Sequence, residues 1–92
     1  MRRVGQIRKR DSNEAQIVDA LRRVGAHCLH LSDPGAPDLL VWYRKTLWLI
    51  EIKSAHGRAT KAQTQRSGEG WPIQTVRSPQ DALAMLGVRG LL

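Results

Sequence analysis

The sequence predicts a small α/β domain, a sheet flanked by helices in the order α-β-β-β-α-β-α. Three observations predict it. An amphipathic stretch runs from Asn13 to Val24. Two runs rich in Leu, Val, Ile and Trp are separated only by Arg44-Lys45-Thr46. A Ser-Pro-x-Asp helix start stands at Ser78. The chain has 92 residues, enough for one modest core and no second domain. It carries 15 Lys and Arg against 8 Asp and Glu, a formal charge of +7, and its 41% hydrophobic content excludes an unstructured tail. A field of that sign attracts polyanions, with nucleic acid the first candidate.

Each element has its own signal. Residues 1–10 are basic and unpatterned and read as an N-terminal arm, frayed or lying on phosphates; Arg8, Lys9 and Arg10 are its candidate DNA contacts. Residues 11–92 read as the single domain. In the first helix Ile17, Val18, Leu21 and Val24 share one face, Gly25 ends it, and Glu14 falls on the same stripe. His27 to Ser32 is expected as a short strand with Leu29 and Leu31 inward and Cys28 and His30 on the other face. Ser32 to Pro37 is a loop, punctuated by two prolines and a glycine. Asp38 to Tyr43 and Leu47 to Lys53 form a hairpin whose near-continuous apolar character suggests cover on both faces. Thr60 opens a short helix to about Arg66, stopped by Gly68-Glu69-Gly70. Pro72 to Arg77 is a fourth strand. Ser78 caps the last helix, Ala82, Leu83, Met85 and Leu86 form its buried side, and Gly87 closes it.

Several classes fall away. The single cysteine, Cys28, allows no intrachain disulfide and fits a reducing interior. The charged start has no apolar stretch behind it and does not read as a secretory signal. The longest apolar runs, Leu39 to Tyr43 and Leu47 to Ile50, are far short of the ~20 residues of a membrane helix, so no membrane partner is expected. No glycine-rich phosphate loop or serine-triad signature is present, and no organic cofactor is expected. The expected location is the cytoplasm, or the host cytoplasm for a phage-encoded protein.

The chemistry concentrates at one end of the hairpin. With a turn at Arg44-Lys45, Tyr43 faces Thr46, Leu40 faces Leu49 and Asp38 faces Glu51. Directly opposed residues lie ~5 Å apart, so two carboxylates sit side by side and need compensation. A divalent cation provides it, since Mg²⁺ takes one or two protein carboxylates and leaves its other positions to water and phosphate oxygens. Lys53 follows Glu51 on the same strand face. An acid pair with an adjacent ammonium is what metal-assisted phosphodiester hydrolysis requires.

Pro37-Asp38, twelve residues, then Glu51-Ile52-Lys53 resembles the PD-(D/E)XK nuclease signature. A narrower resemblance takes in Gly35-Ala36-Pro37-Asp38-Leu39-Leu40-Val41, Trp48-Leu49-Ile50-Glu51-Ile52-Lys53 and Gly57-Arg58-Ala59-Thr60-Lys61-Ala62-Gln63. These look like the VRR-NUC family, the virus-type replication-repair nucleases, over roughly Glu14 to Leu86. The resemblance implies a restriction-endonuclease-like core with a mixed sheet, and Mg²⁺- or Mn²⁺-dependent cleavage of DNA, often branched or flapped. By matching position it implies Asp38 and Glu51 as metal ligands and Lys53 as the catalytic lysine. Glu14 matches the acid of the family's first helix, and Gln63 the glutamine of the helix after the Glu-x-Lys strand. The helix after Thr60 is shorter and more polar than the family's.

Bland roles stand beside these. Glu14 also reads as a capping-box acid three residues after Asp11, and Gln63 as the same after Thr60. Trp71 reads as a packing residue or a base-stacking one. Arg44, Lys45, Arg58, Lys61 and Arg66 are expected to contact phosphates near the site, a salt-sensitive interaction. His27, Cys28 and His30 lack the second ligand cluster that structural zinc needs. The expected activity is metal-dependent, structure-selective DNA cleavage in replication or repair. The expected assembly is a homodimer, with Val88 to Leu92 as a candidate contact. A Holliday-junction resolvase, a restriction-type nuclease, or a non-catalytic DNA-binding module on the same fold are the alternatives.

Overall fold

A computed structural model of the chain describes residues 13–54, 57–58, 61, 65 and 68–88. The elements are α1 (Glu14–Arg23), β1 (His27–His30), β2 (Leu39–Tyr43), β3 (Thr46–Ile52), β4 (Ile73–Val76) and α2 (Pro79–Leu86). Between β3 and β4, Lys61, Gln65 and Gly68 have helical backbone, which completes the α-β-β-β-α-β-α order. The helix stops within Gly68-Glu69-Gly70 as expected: Gly68 is still helical, and the Glu69 N–H closes the last turn on the Gln65 carbonyl at 3.0 Å. The basic arm, Gln63 and Arg66 lie outside the described residues.

The strands form one mixed sheet in the order β1-β2-β3-β4. β1–β2 and β2–β3 are antiparallel, and β3–β4 is parallel, as a crossover connection requires. The hairpin has the expected register along both strands, with Tyr43 facing Thr46, Leu40 facing Leu49 and Leu39 facing Ile50. The expected next pair, Asp38 with Glu51, is not in the ladder, because Asp38 N–H bonds to Ile50 O instead. On one sheet face Cys28, Leu39, Val41, Ile50, Ile52 and Val76 are buried; Ile17, Val18 and Leu21 of α1 and Ala82 of α2 complete the same core. Each fully buried aliphatic side chain there contributes about 1.5–3 kcal/mol.

Both flanking helices end on the same device. After α1 the Ala26 N–H reaches Leu21 O and the Gly25 N–H reaches Arg22 O. After α2, Val88 and Gly87 bond to Leu83 O and Ala84 O in the same pattern. Gly25 and Gly87 have φ of 93° and 83°, the left-handed conformation this cap demands. Ser78 caps α2 through its hydroxyl, which accepts the Asp81 N–H at 3.1 Å.

Two expectations about the sheet are corrected. β1 is turned over: Cys28 is buried, and Leu29 is 63% exposed. The pairing explains it. Cys28 faces Val41 and His30 faces Leu39, both on the helix-covered face, so Leu29 alternates outward. The hairpin is also not covered on both faces, since Trp42 and Leu47 are exposed and only the alternate residues Leu39, Val41 and Tyr43 of β2 are buried.

The hairpin turn carries strain. Arg44 and Lys45 have φ of 47° and 63°, the left-handed pair that a two-residue type I′ turn needs and that Asn-Gly satisfies best. The Arg44 guanidinium lies over the Tyr43 ring, 5.1 Å from its centroid. Left-handed backbone costs a non-glycine residue about 1–2 kcal/mol, and glycine returns part of that as unfolded-chain entropy. Lys45→Gly is expected to stabilise the domain by about 0.5–1 kcal/mol in urea unfolding. A loss of stability would show that the Lys45 side chain contributes more than its backbone conformation costs.

Candidate active site

Asp38 stands where the β2–β3 ladder goes out of step. Its N–H bonds to the Ile50 carbonyl at 2.9 Å, although Ile50 is already the partner of Leu39. Its carbonyl accepts the Leu31 N–H at 2.9 Å, tying β1 to the same point. Its carboxylate then accepts the Ile52 N–H at 2.8 Å, in the place of a backbone carbonyl. The loop before it prepares this position. The Ala36 N–H closes a turn on Asp33 O, and the Pro37 ring is buried. Asp38 is thus held by its own main chain on two sides and by its side chain on a third.

Glu51 is next in the chain to Ile52 and is 5% exposed, against 7% for Asp38. Its pKa is raised to about 7, first by burial, then by the charge of Asp38 and by a hydrogen bond between the two carboxyls; Lys53 pulls the other way. The Lys53 ammonium lies 3.4 Å from Glu51 Oε2, with both side chains largely buried. The three residues proposed from their spacing therefore meet at one point. The two carboxylates offer hard oxygens to a cation that completes its shell with water and phosphate, and the Lys53 ammonium beside them is an ion-pair partner of Glu51. Among the described residues no three His, Cys, Asp or Glu side chains gather into an all-protein metal cage.

Glu14 is buried. Its Oε2 lies 2.9 Å from Nδ1 of His30, on the helix-covered face with Leu39, whereas alternation turns Glu51 away from its core neighbours Ile50 and Ile52. Its capping-box reading does not hold: the residue at the α1 N-cap is Asn13, and Glu14 is the first helical residue. The Asn13 side chain instead donates to Lys53 O at 3.2 Å and Arg77 O at 2.9 Å, fastening α1 to the ends of β3 and β4. Arg77 in turn donates to the carbonyls of Ser54 and Gly57, holding the chain just after Lys53. Sequence reasoning missed Asn13, His30 and Arg77. Only Asn13 carried a usable signal, as an amide at a helix start.

The expected phosphate contacts are scattered. Arg44 and Lys45 lie at the opposite end of the hairpin, about 20 Å of strand from Glu51, so the expectation that they flank the site is corrected by the length of β3. Arg58 and Lys61 are exposed in the segment after Lys53. Arg8, Lys9, Arg10, Gln63 and Arg66 lie outside the described residues.

A mixed four-stranded sheet flanked by helices, with the acid pair and lysine at the ends of its central hairpin, is a restriction-endonuclease-like α/β fold. More narrowly it is the fold of a VRR-NUC domain. A solved structure titled "VRR_NUC domain" matches with a TM-score of 0.64 over 84% of this chain and 97% of that one, at 23% identity. No family model and no curated protein matches the sequence.

The raised Glu51 pKa has a consequence for stability. The folded protein binds that proton more tightly than the unfolded chain does, so stability is fully present below about 4.5 and is lost as pH rises through about 7. In metal-free buffer at pH 8, Glu51→Gln is expected to unfold later than wild type, by on the order of 2 kcal/mol, with the difference shrinking below pH 5. Equal stability across that range would mean the carboxyl is not held in a charged, desolvated pair.

Proposed function

We propose that this domain is a metal-dependent deoxyribonuclease. The observation that carries the reading is the convergence of Asp38, Glu51 and Lys53 in a buried cluster at one end of the two central strands of the sheet. Asp38 and Glu51 would hold Mg²⁺ or Mn²⁺, whose charge would offset the burial and the Asp38 repulsion that keep Glu51 protonated. A bound divalent ion supplies a polarised phosphoryl oxygen and a water acidified towards hydroxide.

The chain's own residues do the rest. Ile52 N–H fixes the orientation of the Asp38 carboxylate, so this ligand needs no reorganisation. Lys53 places a positive charge beside the acid pair, where it offsets charge developing on the phosphate oxygens and orients the attacking water. The net charge of +7 draws the DNA in, with Arg58 and Lys61 near the site and Arg8, Lys9 and Arg10 of the arm as phosphate contacts. Glu14, which contacts His30, and Gln63 are the further candidate residues of the site. A domain this small has little surface for reading sequence, which favours recognition of DNA shape, such as a flap or junction. A homodimer would bring two such sites to one branched substrate in replication or repair. No helix of the described residues is long and apolar enough to cross a membrane.

Two measurements test the reading. In plasmid-nicking assays with Mg²⁺ or Mn²⁺, Lys53→Ala is expected to lower the cleavage rate at least about 100-fold while DNA binding survives. Unchanged cleavage would remove Lys53 from the mechanism. Excess Mg²⁺ is expected to raise the Tm of wild type and not that of the Asp38→Asn, Glu51→Gln double variant. An equal rise in both would place the ion elsewhere.

A further inference from the structure

A cavity of about 410 Å³ opens beside the carboxylate pair, between the loop that precedes Asp38 and the outer side of β3. Pro37 in its wall is the neighbour of Asp38. Leu49 in its wall shares a strand face with Glu51, one side-chain repeat or about 7 Å away. Its opposite side is Trp71, 50% exposed. That indole is not loose: its Nε1 donates to Glu69 Oε1 at 3.0 Å, and Glu69 Oε2 accepts from Gln65 at 3.3 Å. An aromatic ring held at its edge and bare over much of its surface is a stacking platform prepared before any ligand arrives.

The lining chemistry selects the occupant. No Lys or Arg lines the cavity among the described residues; Asp33 does, and so does His30, whose Nδ1 already lies 2.9 Å from Glu14 Oε2. A phosphate group would be repelled there. A neutral, flat ring with N–H donors on its edge fits instead: Trp71 takes one face, and the Asp33 carboxylate accepts from an exocyclic amine. The volume accommodates one nucleoside. A base inside a duplex is stacked and paired and presents no free face, so the occupant must be unpaired.

We infer that this cavity binds one unpaired nucleobase of the DNA, stacked on Trp71, and thereby sets an adjoining backbone phosphate over Asp38 and Glu51. The inference rests on the nuclease reading for its substrate and names the feature that substrate must have, an unpaired nucleotide next to the bond that is cut.

Binding tests it without chemistry, in EDTA, with two duplexes of one sequence. One is blunt, and the other carries a single-nucleotide flap of 2-aminopurine. Wild type is expected to quench the 2-aminopurine fluorescence and to bind the flapped duplex roughly ten-fold tighter than the blunt one, the worth of one stacked base. Trp71→Ala is expected to bring that ratio to about one and abolish the quench, whereas Trp71→Phe, which keeps a ring, retains both. A flap with an abasic nucleotide binds wild type no better than the blunt duplex does. The inference is overturned if wild type leaves the fluorophore unquenched, or if Trp71→Ala keeps the flap preference. The two readings fail separately: a Trp71-dependent flap preference with no cleavage in any metal retains the pocket and removes the nuclease, and cleavage with no such preference does the opposite.

Discussion

The site depends on one substitution within a β-ladder. Where a backbone carbonyl of β2 would ordinarily meet the Ile52 N–H, the Asp38 carboxylate does so. The consequence is electrostatic as much as geometric. A carboxylate that has become part of the sheet's hydrogen bonding cannot swing out into water, so the acid next to it must live with a neighbouring charge. Glu51 responds by holding its proton to about pH 7, and Lys53 is drawn in at 3.4 Å as partial compensation. A desolvated pair of acids with a single ammonium is an incomplete charge set.

The rest of the architecture serves that position. The two Schellman caps, the Ser78 cap and the shared core of α1, α2 and one sheet face make a rigid back wall. On the other sheet face Leu29, Trp42 and Leu47 are exposed, while Glu51 on that same face is buried. Structure and chemistry are separated across the thickness of the sheet: Ile50 and Ile52 carry stability, and Glu51 between them carries charge.

How much of this was legible follows from which forces decided each element. The β2–β3 register could be read because the turn is two residues long and the strand period leaves one pairing that matches both runs, even though Arg44-Lys45 is a poor I′ sequence. That register brings Asp38 and Glu51 to the same end of the hairpin, although the ladder itself stops at Leu39 and Ile50. The facing of β1 was misread because Leu29 and Leu31 look like the buried pair. In the fold, pairing to β2 and the His30–Glu14 contact outweigh apolarity on a four-residue edge strand. The distance of Arg44-Lys45 from the acids is a matter of strand length that charge counting ignores. The carboxylate-for-carbonyl exchange at Asp38 and the Asn13 and Arg77 contacts were invisible, because they join segments that no local pattern connects.

Asn13 carries a consequence for the order in which the chain assembles. Its one amide group bridges carbonyls 40 and 64 residues further on, at the ends of two parallel strands that must first find each other across a long connection. Such a clasp can close only after β3 and β4 are paired, so it belongs to the last step of folding and the first of unfolding. Weakening it would leave the speed of folding nearly untouched and shorten the lifetime of the native state, loosening first the strand ends that bear Lys53.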